Sequence, residues 1–181
     1  MIALRRRIFK SQYTGVAALR ELLQTMFIAE YLCEDRSKEL WLVSPWISDI
    51  PLIDNRSAEF DTLNPEWGRR EIRLSEILVL LMSRGSQIKI VTREADSNST
   101  FLGQVTQLAA AFGVADCVRI GIRNELHTKG ILLSSSQILG SMNLTHNGLG
   151  ILDELVEFCI DASELAEMRN QFRHDYGEYV L

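Results

Sequence analysis

The stretch Leu126–Asn143, LHTKGILLSSSQILGSMN, decides how this chain is read. Its first half sets a histidine and a lysine two residues apart ahead of an apolar run, and its second half returns through Gly-Ser-x-Asn. If residues 127–134 are extended, side chains alternate, so His127, Lys129, Ile131 and Leu133 share one face of a sheet. The three serines at 134–136 suit a tight reversal. Residues 137–143 then come back antiparallel and carry Ser141 and Asn143 to the end where His127 and Lys129 sit. Gly140 permits close approach of the backbone, while a hydroxyl, an amide and an ammonium around one histidine make a receptor for an anionic oxygen group. A phosphoryl group is the favoured ligand.

Outward from that stretch, strands and helices alternate. Val16, Leu19, Leu23, Met26 and Phe27 recur at helical spacing after Thr14, a candidate N-cap, and predict a helix over 14–32. LWLV at 40–43 reads as a strand closed by Ser44-Pro45. Residues 46–70 carry no sustained period, which suits a lid or a binding loop. Leu74, Ile77, Leu78, Leu81 and Met82 predict a helix that Gly85 ends, followed by a strand at 87–94. Phe101, Val105, Leu108 and Phe112 predict another helix, and residues 117–123 and 154–160 two more strands. Asp161 with Glu164 resembles a capping box for a last helix that buries Leu165, Met168, Phe172 and Tyr176. The expected fold class is α/β: one domain over 1–181, with a central mixed sheet covered on both sides by helices.

Composition narrows the function classes. With 46% hydrophobic and 24% charged residues over 181 positions, the chain has the make-up of an ordinary globular domain and can bury a core without metals or disulfides. Its apolar runs are far shorter than the roughly 18 residues of a membrane span. The basic start at Arg5–Lys10 is not followed by an apolar stretch, so a cytoplasmic location is expected. A net charge of −5 argues against general electrostatic capture of nucleic acid, so any phosphate site must be local. The basic clusters at Arg5, Arg6, Arg7 and Lys10 and at Arg69, Arg70 and Arg73 read as solvated faces. Cys33, Cys117 and Cys159 are odd in number and widely spaced, fitting reduced core thiols rather than a disulfide framework or a zinc site.

His127, Lys129, Gly140, Ser141 and Asn143 resemble the signature of the phospholipase D superfamily, His-x-Lys, four residues, Asp, then Gly-Ser-x-Asn. Glu154 occupies the place of the acidic residue that begins the family's next strand. LVSPW at 42–46 and IVTR at 90–93 look like the strand ends that border the family's active site, which brings in Ser44, Trp46 and Arg93. The resemblance implies an αβα sandwich and a two-step phosphodiester transfer without metal or other cofactor. His127 would attack phosphorus, Glu154 would orient its ring, Lys129 and Asn143 would stabilise the charged intermediate, and Ser141 would support them. Two histidines are needed and the chain has one motif copy, so the resemblance implies a homodimer whose two motifs meet at one site. One departure stands out: Ser134 occupies the position of the motif aspartate.

Other residues keep two readings. Trp46 and Trp67 either line a substrate cleft, where bases stack, or pack in the core or anchor a loop. Arg93 either reaches a substrate phosphate or makes a structural ion pair. His146 reads as a surface turn residue, and Gly130 as a site of close packing. The chain also resembles the phospholipase-D-like protein of bacterial gene clusters that modify DNA with 7-deazaguanine or restrict foreign DNA. The expected function is therefore a nuclease acting on DNA, alongside other proteins of a modification or defence system and away from membranes. The alternatives are a catalytically weak DNA-binding or assembly subunit and, third, a phospholipase.

Overall fold

The computed structural model describes residues 5–34 and 38–180; Met1–Leu4, at the head of the basic start, lie outside them. In chain order the strands and helices are β1 (Arg5–Lys10), α1 (Val16–Leu32), β2 (Glu39–Val43), β3 (Pro51–Asp54), β4 (Glu71–Arg73), α2 (Leu74–Ser83), β5 (Gln87–Thr92), α3 (Asp96–Ala111), β6 (Val118–Ile122), β7 (Gly130–Leu132), β8 (Gln137–Gly140), α4 (His146–Gly150), β9 (Glu154–Cys159) and α5 (Ala162–Tyr176). Seven strands form one mixed sheet in the order β1-β9-β8-β7-β2-β5-β6, and β3 pairs with β4 in a separate ribbon. β2, β5 and β6 run parallel. β7, β8, β9 and β1 follow antiparallel.

Alternation on β2 explains the layering. Leu40 and Leu42 pack on one face with Leu19, Leu23 and Phe27 of α1, Ile77 and Leu78 of α2, and Phe101 and Val105 of α3. Trp41 and Val43 pack on the other with Leu165, Phe172 and Tyr176 of α5. A strand buried on both faces must be apolar throughout, and the run from Leu40 to Val43 is. The expected αβα sandwich is therefore the observed one.

Three elements differ from their sequence reading. Thr14 belongs to a turn, its N–H bonded to Ser11 Oγ, and the cap of α1 is Gly15 at φ 80°. A Cβ there would sit 2.6 Å from the Phe9 carbonyl oxygen, so the tight passage from β1 into α1 requires glycine. The aperiodic stretch 46–70 holds β3 and a 3₁₀ turn at Pro65–Trp67, and leads into β4. Buried Asn55 ties it together by bonds to Asp61, the Gly68 carbonyl and the Phe60 N–H. That stretch is an anchored ribbon rather than a lid. β1 was hidden by its basic residues: Arg5 and Arg7 pair with Glu164 and Glu157 on the outer face, as a solvated cluster should, but Lys10 is buried.

At the edge of α5, Glu39 accepts hydrogen bonds from Trp41 Nε1 (2.7 Å), Arg173 (2.9 Å) and Lys89 (3.1 Å). Burial pushes its carboxyl upward, but the three donors outweigh that and hold it below its ordinary value. Stability from this cluster is present above the unfolded glutamate value of about 4.3 and is lost as pH falls through the depressed folded value. In urea unfolding, Glu39→Gln is expected to be less stable than the parent at neutral pH and to lose less on acidification.

Candidate active site

The sheet directions gather the site at one edge. The carboxyl ends of parallel β2 and β5 point to the same side as the start of antiparallel β7, the end of β8 and the start of β9. Ser44, Arg93, Lys129, Ser141 and Glu154 are thereby brought together from five segments, as open α/β sheets do at their carboxyl edges. The strand expected from His127 is confined to Gly130–Leu132, so His127 and Lys129 lie just ahead of it. Pairing still reaches back, with the Gly140 N–H bonded to the Lys129 carbonyl at 3.4 Å. Lys129 lines a small crevice with Ile131, Ile138, Met142 and Val156, consistent with the shared face expected from alternation. Gly130 does reflect close packing: a Cβ there would meet Leu139 at 2.7 Å and Phe172 at 3.1 Å.

His127 is exposed. Its Nε2 lies 3.1 Å from Arg93 Nη2, while Arg93 Nε donates to the Leu126 carbonyl at 2.9 Å. A guanidinium only donates, so Nε2 is the acceptor and carries a lone pair, and in the neutral ring the proton belongs to Nδ1. Among the described residues Arg93 makes no ion pair: its partners are a histidine, a carbonyl and the Trp46 ring, 5.4 Å away. Lys129 Nζ donates to the His127 carbonyl at 2.6 Å. The cations at this edge therefore rest on neutral acceptors that an anion can displace.

Asn143, half-buried, has its Oδ1 3.3 Å from the Ser44 hydroxyl. The same hydroxyl donates to the Trp46 carbonyl at 2.9 Å and accepts the Leu144 N–H at 3.3 Å. Ser44 was expected to touch substrate, but it is fully buried and fixes the Asn143 and Trp46 segments instead. Trp46 is exposed, whereas Trp67 is buried against Tyr31, so the core reading holds for Trp67. His146 is exposed at the first turn of α4, which Thr145 caps.

Glu154 was expected to orient the histidine. Its carboxylate instead accepts from Ser141 Oγ, and among the described residues no hydrogen bond joins it to His127. Ser141 also exchanges bonds with Leu155, each at 3.0 Å, so serine and glutamate together close the seam between β8 and β9. Gly140 makes this possible: at φ 154° its missing Cβ would fall 2.2 Å from the Leu155 carbonyl oxygen. Gly140→Ala is expected to cost at least about 1–3 kcal/mol and to lower activity by displacing Ser141 and Asn143. Thermal unfolding and turnover of the same sample check it.

Three residues had no signal in the sequence. Lys10, opposite Glu154 in register, is 1% exposed, and its Nζ has no hydrogen-bond partner among the described residues. Burial lowers its pKa against the upward pull of Glu154 and Asp153, so the amine behind the glutamate holds its proton less firmly than a surface lysine does. At the opposite sheet edge, the Glu30 carboxylate of α1 accepts from the Ser134 N–H (2.9 Å) and hydroxyl (2.6 Å) and pairs with Lys38 at 2.9 Å. The carboxylate missing from position 134 is thus supplied from α1. Asn98 holds the Trp46 segment. Among the described residues no three His, Cys, Asp or Glu side chains converge as a metal cluster would require.

Comparison with known proteins agrees with this geometry. The fold superimposes on the phospholipase D family member Nuc from Salmonella typhimurium with a TM-score of 0.62 at 12% identity, covering 99% of this chain and 97% of that one. NucT from Helicobacter pylori gives 0.60 at 10% identity, with 99% of both chains covered. Phosphatidylserine synthase from Haemophilus influenzae gives 0.60 at 14% identity, covering 95% of this chain but 39% of the synthase. No curated protein sequence matches the chain. Residues 50–176 match the family model described as cardiolipin synthase, PLD-like domain, and with the histidine, lysine and Gly-Ser-x-Asn assembled at one sheet edge this chain belongs to the phospholipase D superfamily.

Proposed function

We propose that this chain is a metal-independent phosphodiesterase acting on nucleic acid, with DNA as the substrate, through a phosphohistidine intermediate. The observation that carries it is the Arg93–His127 contact, which leaves Nε2 a lone pair beside two cations at the sheet edge. A phosphate oxygen draws Arg93 and Lys129 away from their neutral acceptors, because a bond charged on both sides is stronger than one charged only at the donor. That frees Nε2 for attack on phosphorus. The P–N bond forms as the P–O bond to the leaving oxygen breaks, and a second, protonated imidazole gives that oxygen its proton. In the second step the now neutral imidazole takes a proton from water, the water oxygen attacks phosphorus and the P–N bond breaks. Lys129, Arg93 and the Asn143 amide offset the added charge of the pentacoordinate state.

The second imidazole comes from a second copy of the chain, so the proposed unit is a twofold homodimer with His127 in both roles. Phe9, Tyr13, Ile151 and Leu155 are exposed, and Phe9 pairs with Leu155 in register beside this edge, apolar surface suited to burial against a copy of itself. Work beside a DNA modification or defence system rests on the sequence resemblance alone. No helix among the described residues is long and apolar enough to cross a membrane.

The test is hydrolysis of DNA, of a chromogenic phosphodiester and of a phospholipid, with chelator present. Chelator-resistant cleavage of DNA supports the proposal. Cleavage of lipid alone moves the chain to the phospholipase reading, and a folded dimer that hydrolyses none of the three is a binding subunit. Re-associating wild-type subunits with an equal amount of His127→Ala is expected to lower activity per wild-type subunit by about half, since mixed dimers lack one imidazole. Undiminished activity overturns the shared site.

A further inference from the structure

Next to the site lies an open groove of about 480 Å³. Trp46 forms part of its lining, with Ser97, Asn143, His146 and Asn147. Among the described residues no carboxylate lines it. Trp46 is 41% exposed, yet the backbone around it is clamped from both sides. Asn98, itself 1% exposed, accepts the Ile47 N–H at 2.9 Å, and its Nδ2 lies within 2.9 Å of the Pro45 carbonyl, Thr92 Oγ1 and the Arg93 carbonyl. Ser44 holds the Trp46 carbonyl itself. An indole left facing solvent on so fixed a backbone loses little further freedom when something stacks on it. Arg93 bridges platform and nucleophile, its guanidinium 5.4 Å from the Trp46 ring centroid and 3.1 Å from His127 Nε2.

We infer that this groove holds one unstacked nucleobase next to the scissile phosphate, and that the substrate is single-stranded nucleic acid. The inference rests on the nucleic-acid reading above and deepens it. A phosphate at His127 and Arg93 places its neighbouring nucleoside at Trp46, where the base lies on the indole and its edge meets Ser97, His146 and Asn147. Duplex bases have both faces covered by their neighbours, so only a single strand or a splayed nucleotide offers a face to an aromatic platform. Stacking tolerates any base, whereas the polar rim of the groove adds a mild preference.

The chain itself supplies the reporter. Trp41 and Trp67 are buried, so Trp46 is the one of its three tryptophans open to a ligand. In the full-length His127→Ala protein, which binds without turnover, a single-stranded DNA oligonucleotide is expected to quench indole fluorescence and to bind at least about tenfold more tightly than the same sequence as a duplex. A strand of equal length built from abasic residues is expected to leave the fluorescence unchanged. Adding Trp46→Ala weakens single-strand binding by about tenfold, and Trp46→Phe restores most of it. Equal binding and quenching by duplex and single strand, or single-strand affinity indifferent to Trp46→Ala, overturns the inference. If the wild type still cleaves DNA in that case, the nuclease reading stands without it. If neither form of DNA is bound or cleaved while the chromogenic diester is hydrolysed, the nucleic-acid reading fails and this site fails with it.

Discussion

His127→Ala is expected to abolish hydrolysis of every phosphodiester the parent cleaves, by at least about a thousandfold, while unfolding at the same urea concentration as the parent. The two halves of that result have separate causes. Activity goes because in the proposed scheme the imidazole is both the group that bonds to phosphorus and, in the second copy, the group that protonates the leaving oxygen, so one substitution removes two roles from each composite site. Stability stays because the ring is exposed and its side-chain contact is to a guanidinium that keeps its bond to the Leu126 carbonyl, and surface changes of this kind fall within about 0.5 kcal/mol. Lys129→Met separates charge from nucleophile. It keeps the stem in its crevice but removes the ammonium, and is expected to lower kcat by about 10²–10³ with a smaller change in KM, because the added negative charge is largest in the transition state. Single-turnover kinetics on a chromogenic diester, beside denaturant unfolding, check both variants. A His127→Ala protein that keeps a tenth of parental activity ends the phosphohistidine scheme.

The second large effect belongs to stability. Glu30→Ala is expected to destabilise the protein by about 3–5 kcal/mol, because it strands the Lys38 ammonium in the interior and removes the acceptor of both Ser134 bonds. For a chain of this length that lowers Tm by on the order of 10 °C, read by thermal unfolding. Ser134→Asp, which restores the letter of the family motif, is expected to be destabilising too, since it sets a second carboxylate against Glu30 in a buried place. The double variant Glu30→Gln with Ser134→Asp recovers much of the loss, as Lys38 again has one carboxylate beside it. Recovery shows that the departure at position 134 is an exchange of the same charge between a turn and a helix, and that it marks no decay of the site. Additive losses show the opposite.

Reading outward from His127, the sequence was legible wherever chemistry is local. The apolar run at Leu40–Val43, helical periodicity at Leu74–Met82 and the Asp161 cap of α5 each depend on residues a few places apart, and each appears as expected. β1 was illegible because its outward residues are arginines held by Glu157 and Glu164, partners roughly 150 positions away. Similarly, nothing local in Thr14-Gly15 says which of them caps α1; the crowding against the Phe9 carbonyl decides it.

The same division runs through the site. From the sequence alone came the grouping of His127 with Lys129 at the head of a strand and the return of Gly-Ser-x-Asn beside them, because a hairpin joins residues close in the chain by the simple two-residue period of an extended backbone. Tertiary structure decided which proton His127 carries, through Arg93. It also turned Ser44 inward and Trp46 outward, gave Glu154 to Ser141, and lent the Ser134 turn a carboxylate from α1. The Arg93–His127, Ser141–Glu154 and Ser134–Glu30 contacts join residues 34, 13 and 104 positions apart that meet only once the sheet is assembled, and such pairings leave no periodicity for a sequence to display.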